Sequence, residues 1–320
     1  MRRPKNILSD IKAIKREEDL EKMDFLMKTI KAVHSATTVM EDVTAQQLEK
    51  QRTNTDAFSR LITPMSSVED EAFEVDGIQC EWVKPGFAHR VDKVIMYCHG
   101  GGYISGGLGY ARILAAKLAI TTGIETVSFE YRLSPENRYP AALEDAIKVW
   151  EYIRECGYGA NDIIVAGDSA GGNLALELLL ELKESCARLP KALVLFSPWT
   201  DMTCLSNSYK VYADKDPLLT YEYITMARKA YMGDDEDYSN PKYSPLYADL
   251  SNMPPALIQV GSNEILRDDS EKLAKKYSKC GSLAKVEVYP GGWHVFQQMP
   301  IAKASQALDN VKYFLDEVLR

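Results

Sequence analysis

From about residue 70 onward, short apolar runs alternate with stretches of helical periodicity. VIMYCHGGG (94–102), ETVSFEYR (125–132), DIIVAGDS (162–169), ALVLFSPW (192–199), ALIQVGS (256–262) and KVEVYP (285–290) are strand-sized apolar blocks bounded by turn residues. Between them lie helical patterns: AALEDAIKVWEYIREC after Pro140, GGNLALELLLELKES (171–185), a stretch from about Asp269 to Lys279, and a last one from about Pro300 to Leu319. Proline suits the opening of a helix, where its missing N–H has no partner to lose. Strands alternating with helices predict βα units and a mainly parallel sheet.

Two segments fall outside this rhythm. Residues 1 to about 60 are charged and contain no glycine, and their one proline is Pro4. Ile7, Ile11 and Ile14, then Phe25, Leu26, Ile30 and Val33, recur at helical spacing and predict two or three amphipathic helices. Residues 200–250 hold one helical pattern, LLTYEYITMARKAYM (218–232), followed by the acidic stretch GDDEDYSN, and predict an insertion between two sheet strands.

Composition narrows the function classes. With 320 residues, 46% hydrophobic and 26% charged, the chain can bury a sizeable core and reads as an ordinary soluble protein. A net charge of −8 argues against nucleic acid as partner. The basic start MRRPK leads into no apolar signal-peptide core, and no run has the length of a membrane span, so a cytoplasmic protein is expected. The cysteines at 80, 98, 156, 186, 204 and 280 form no CxxC pair, so neither a zinc site nor a redox motif is expected. Cys98, Cys156 and Cys186 fall in predicted strands or helices, where buried free thiols are expected.

Chemistry enters at Gly167-Asp168-Ser169-Ala170-Gly171, the one GxSxG in the chain. A strand runs into it and a helix runs out, the context in which a serine is held exposed on a sharp turn as a nucleophile. Taken alone, the motif also fits a glycine-rich turn with an incidental serine. His99-Gly100-Gly101-Gly102-Tyr103 closes an earlier strand. Acyl transfer builds negative charge on a carbonyl oxygen and needs fixed N–H donors; Gly101, Gly102 and Ala170 are the candidates. An early HGGG and a later GxSxG in this order are far more specific together than either alone.

These blocks, with EYRLSPENRYPAALEDA and the terminal GGWHVF, resemble the hormone-sensitive-lipase family of α/β hydrolases, the bacterial family IV esterases. The resemblance spans roughly residues 70–320. It implies an α/β-hydrolase fold, an eight-stranded, mostly parallel sheet flanked by helices, with a helical cap over the active site. On that basis residues 1–60 and 200–250 are expected to form the cap, and residues 61–199 and 251–320 the two parts of the catalytic core. Glu130 and Ser134 stand where the family usually has Asp and Ala.

Of the four histidines, His34 and His89 read as surface side chains, and His99 as a residue that orients the glycine loop. His294 lies beyond a strand's C-terminal end, where ligands bind in open α/β sheets, and follows the serine in the order serine, acid, histidine. It is the candidate general base. The acid falls within VGSNEILRDDS (260–270); the resemblance assigns it to Glu264, with Asp268 as the alternative. Asp268 and Asp269 otherwise read as caps of the following helix. Arg132, Glu136 and Asp145 are expected to form an ion-pair network, and by resemblance Asp168 holds the active-site loops. Tyr103 and Trp199, with Tyr221, Tyr223 and Met226, are candidate pocket residues, although such side chains more often simply pack.

The expected activity is hydrolysis of a small-molecule carboxylic ester through an acyl-enzyme. The resemblance implies short- to medium-chain acyl groups and a frequent homodimer, and no metal or organic cofactor. Amide hydrolysis or deacetylation by the same residues is the alternative reaction, and a ligand receptor on this fold the alternative class.

Overall fold

The computed structural model describes residues 48–50, 52–53, 67–233 and 237–320. The helices expected between residues 1 and 60 lie outside the described residues, apart from helical residues at 48–50 and 52–53.

Eight strands form one sheet in the order β1-β2-β4-β3-β5-β6-β7-β8. They are β1 (Val68–Val75), β2 (Ile78–Pro85), β3 (Arg90–Cys98), β4 (Ile124–Phe129), β5 (Ile163–Asp168), β6 (Ala192–Phe196), β7 (Ala256–Gly261) and β8 (Ala284–Tyr289). β2 runs antiparallel to both β1 and β4, and every other pair is parallel. The helices are α1 (Leu108–Thr122), α2 (Ala141–Glu155), α3 (Ala170–Glu184), the short α4 (Ser208–Val211), α5 (Tyr221–Met232), α6 (Arg267–Lys279) and α7 (Ala302–Val318). This is the α/β-hydrolase sheet that the motifs imply.

The central strands are apolar on both faces because both faces are covered. Along β3, Val94, Met96 and Cys98 point into one core with residues of α2, α3 and α6, while Ile95 and Tyr97 point into another with residues of α1 and α7. In β5, Ile163 and Val165 join the first core, and Ile164 and Ala166 the second. The period of two along each strand thus feeds two layers of helices.

The periodicity reading misses β1, β2 and α1, besides the short α4. β1 and β2 form an edge hairpin turning at Asp76 and Gly77, both with positive φ. The acidic, largely exposed β1 offers no apolar block to find, and its charges suit a sheet edge. α1 buries Ala111, Ile113, Leu114, Ala115, Ala116, Leu118 and Ala119, so it shows no single apolar stripe. Cys156 and Cys186 are exposed, contrary to expectation, because they fall just past the ends of α2 and α3. No helix among the described residues is long and apolar enough to cross a membrane.

Candidate active site

The sheet places β5 beside β3 and β6, so the turn after β5 meets the glycine loop after β3. Ser169 sits on that turn with φ 53° and ψ −121°, a conformation that L-residues rarely adopt. The Ser169 N–H donates to the Phe196 carbonyl (2.9 Å), and its own carbonyl accepts from the N–H groups of Gly172 (3.1 Å), Asn173 (3.3 Å) and Trp199 (3.1 Å). Gly171 is required by packing: a Cβ there would collide with the carbonyl oxygens of Cys98 and His99. The serine is therefore fixed by its own backbone and by the close approach of β3.

The Ser169 hydroxyl donates to His294 Nε2 (2.9 Å), and His294 Nδ1–H donates to Glu264 Oε2 (2.9 Å). The other carboxylate oxygen of Glu264 accepts from the Gly261 N–H (2.5 Å) and the Ser197 hydroxyl (2.8 Å). Both Glu264 oxygens act as acceptors, so the ring proton belongs on Nδ1 and Nε2 is left to accept from Ser169. All three side chains are buried. Burial alone would lower the His294 pKa, but the Glu264 hydrogen bond and the charges of Glu264, Asp216 and Asp168 outweigh it and raise it above its ordinary value.

The glycine loop lies across from this chain of bonds. Gly101 has φ 115°, and its carbonyl is occupied by the N–H groups of Ile104 (3.2 Å) and Ser105 (3.0 Å). Among the described residues, the N–H groups of Gly101, Gly102 and Ala170 donate to no other group, which leaves them available to a ligand oxygen. Asp168 anchors the loop: it accepts from the Gly100 N–H (2.8 Å), the Tyr97 hydroxyl (2.5 Å) and the Tyr110 hydroxyl (2.7 Å). Burial nevertheless pushes its carboxyl above the usual range. His99 stacks on Tyr131 at 4.1 Å and donates from Nδ1 to the Gly100 carbonyl (2.7 Å). Burial lowers its pKa to about 4, so the ring stays neutral and serves as a brace.

Several expected roles change in the structure. Asp268 lies away from His294; its carboxylate accepts from the Ser208 N–H (3.0 Å), the first residue of α4. Asp269 accepts from the Thr200 and Asp201 N–H groups, each at 3.1 Å. Neither caps its own helix, because α6 starts at Arg267 and both carboxylates turn toward the 200–208 segment. Arg132 pairs with Asp145 and Glu144, whereas Glu136 pairs with Arg52 from the N-terminal segment. His89 is bound to Glu125 (2.9 Å) instead of standing free at the surface. Tyr103 packs: it is fully buried, stacked on Tyr231 of α5 at 3.7 Å, with its hydroxyl donating to Asn173 (2.9 Å). Trp199 is also buried, and what it contributes here is the backbone N–H to Ser169.

Ser197, Asn173, Asp216 and Arg52 are support residues that the sequence reading did not single out. Asn173 donates to the Trp199 (2.7 Å) and Tyr243 (3.1 Å) carbonyls while it holds Tyr103. Asn173 follows directly on the nucleophile motif in GDSAGGN; for the others the contacts that reach the site cross long sequence separations. Among the described residues, no group of three or more His, Cys, Asp or Glu side chains is placed to hold a metal ion.

Known proteins resemble this chain in sequence and in fold. A family described as alpha/beta hydrolase fold matches residues 95–298. An esterase from Acinetobacter venetianus is 34% identical over 261 residues, 81% of this chain and 86% of that one. An acetyl-hydrolase from Streptomyces hygroscopicus is 35% identical over 242 residues, 75% of this chain and 78% of that one. Among solved structures, an esterase from the bacterial hormone-sensitive lipase family superposes with a TM-score of 0.85 at 29% identity, covering 95% of this chain and 99% of that one. Sheet order, motif order and these likenesses agree: the chain belongs to the α/β hydrolases of the hormone-sensitive-lipase family.

Proposed function

We propose that this protein hydrolyses short- to medium-chain carboxylic esters through an acyl-enzyme, with Ser169 as nucleophile, His294 as general base and Glu264 as the acid of a triad. The observation that carries this reading is the unbroken chain of hydrogen bonds from Ser169 through His294 to Glu264. The names of the relatives, an esterase and an acetyl-hydrolase, support ester cleavage and a small acyl group.

In this mechanism, Ser169 Oγ attacks the ester carbonyl as its proton passes to His294 Nε2. The oxyanion meets the N–H groups of Gly101, Gly102 and Ala170, and Glu264 stabilises the imidazolium. His294 then returns the proton to the leaving alcohol. Water, deprotonated by His294, attacks the acyl-enzyme and releases the acid, restoring Ser169. Because His294 is held above its ordinary pKa, activity is expected to rise with pH through a limb lying above the ordinary imidazole value.

The N-terminal segment and residues 200–250 act as the cap in this reading. Support comes from α5, where Ala227 and Tyr223 lie directly over Gly102. The cytoplasmic setting and the homodimer expected from the sequence belong to the same proposal; cell fractionation and light scattering test them. The central experiment is a panel of nitrophenyl esters graded by acyl length, run beside the matching anilides and after treatment with a serine-directed phosphonate. Turnover of short esters that the phosphonate abolishes by labelling Ser169 is the expected result. Preference for anilides would favour amide hydrolysis, and no labelling with no turnover would sink the enzymatic reading.

A further inference from the structure

Asp216 is a buried carboxylate in the insertion between β6 and β7, and the mechanism above gives it no role. Its position is unusual for a loop residue. One oxygen accepts from the N–H groups of Leu218 and Leu219, each at 2.9 Å, and so folds the chain into the start of α5. The other oxygen accepts from the Ile265 N–H at 2.9 Å, on the peptide immediately after Glu264. Leu218 packs against the cluster that contains Trp293 and Phe296, the apolar residues on either side of His294. One short segment therefore touches the acid's backbone and the base's neighbours together.

We propose that Asp216 is a positioning residue of this active site: it ties the Glu264 peptide to the insertion and sets a second fixed negative charge beside the His294 imidazole. The inference rests on the triad reading given above. Three negative charges act on the imidazole and raise its pKa: Glu264 from the loop after β7, Asp216 from the insertion and Asp168 from the end of β5. Glu264 bonds the ring, and Asp168 is occupied by two tyrosine hydroxyls and the Gly100 N–H. Asp216 accepts from three backbone N–H groups, an arrangement that favours the ionised carboxylate. Burial works the other way and puts its pKa at about 6, so above that pH it is charged. A second anion stabilises the imidazolium that forms in the transition state. It also raises the pH at which His294 becomes available as a base.

The test is the pH dependence of kcat/KM for Asp216→Asn, with Asp216→Ser as a second uncharged variant that keeps an oxygen for the backbone donors. Titration with a serine-directed phosphonate counts the reactive enzyme in each preparation, so misfolded material is excluded from the rates. The expected result is a fall in kcat of roughly tenfold per reactive site, with the acid limb moved to lower pH by about one unit. The limb moves down because losing a negative neighbour makes His294 easier to deprotonate. A purely structural role would lower the reactive fraction or kcat and leave the limb where the wild type has it. An unmoved limb in whichever variant folds overturns the proposal. Failure of the wild type to react with the phosphonate would instead refute the triad itself, so the two outcomes are distinct.

Discussion

The nucleophile turn and the acid loop solve the same problem, fixing a side chain, with different shares of local and distant contacts. Ser169 sits in a contiguous motif that shapes its turn: its carbonyl takes N–H groups from Gly172 and Asn173, and Gly171 lets β3 approach, while the Phe196 carbonyl and the Trp199 N–H add two contacts from the end of β6. Glu264 is held mostly from a distance, by the Ser197 hydroxyl after β6 and by Asp216, which bonds the Ile265 N–H from the insertion; only the Gly261 N–H is local. A locally fixed residue depends on a short motif, and a residue fixed from afar depends on the whole fold. The first should tolerate changes elsewhere in the molecule, and the second should not.

The largest effect tests the local half. Ser169→Ala removes the attacking atom while leaving the backbone bonds of the turn intact. Turnover should fall by up to about 10⁶-fold, with residual activity from the oxyanion donors, and the melting temperature should stay near that of the wild type. Retention of more than a few per cent of the activity would reject Ser169.

Next comes the acid. Glu264→Gln keeps the volume but turns an amide toward His294, which disfavours the required tautomer and leaves the imidazolium without its counter-charge. A comparable exchange in another triad lowers turnover by about 10⁴-fold. Asp268→Asn should keep activity within a few-fold, because its carboxylate serves the start of α4. Measuring both for turnover and thermal unfolding decides the matter: an inactive Asp268→Asn beside an active Glu264→Gln would exchange their roles.

The same contrast explains what could be read from the sequence. Gly167 to Gly171 and His99 to Gly102 are contiguous, so each motif carries its own geometry, and His294 follows a strand whose end is visible in KVEVYP. Glu264 needed the family pattern, because nothing within residues 260–270 separates it from Asp268 by residue type alone. The sequence does not mark how Ser197 and Asp216 support the acid loop, since the partners they hold there are 67 and 49 residues away. In the fold, the buried parallel strands stood out through their apolar blocks. The acidic β1 and the broadly apolar α1 did not, because one has no buried face of its own and the other has more than one.

A smaller effect is expected where the glycine loop is fixed from afar. Arg52 donates to the Ile104 carbonyl (2.9 Å), to the Ser134 carbonyl (3.1 Å) and to both oxygens of Glu136. Ser134 in turn donates its N–H to the Tyr103 carbonyl (2.8 Å), so Arg52 joins the two loops that flank Gly102. Arg52→Ala should lower kcat by about tenfold through a misplaced oxyanion donor, with little change in KM. Arg52→Lys should recover only part of the loss, since an ammonium cannot span Glu136 and two carbonyls as a planar fork does. An unchanged kcat would show that the loop needs no support from the N-terminal segment.

The smallest effect concerns stability, at the place where the locally encoded helix α3 meets the insertion. Glu177 of α3 is fully buried and accepts from the Tyr231 hydroxyl of α5 (3.1 Å). Burial raises its pKa to about 8, against the pull of that hydrogen bond. In the unfolded chain a glutamate titrates near its ordinary value of about 4.3. Between those two values the native state holds a proton that the unfolded state has released, so stability contributed by this group is complete at low pH and is lost as pH rises through about 8. Glu177→Gln mimics the protonated acid at every pH and still offers an oxygen to Tyr231. The difference in unfolding free energy between variant and wild type should therefore be small at low pH, grow in the variant's favour as pH rises, and level off above the native pKa. Thermal unfolding of both proteins across pH measures that difference directly, because every other titration is shared. A difference that stays constant with pH would mean that Glu177 titrates in the folded protein as it does in the unfolded chain, so that its burial against α5 leaves its ionisation unchanged.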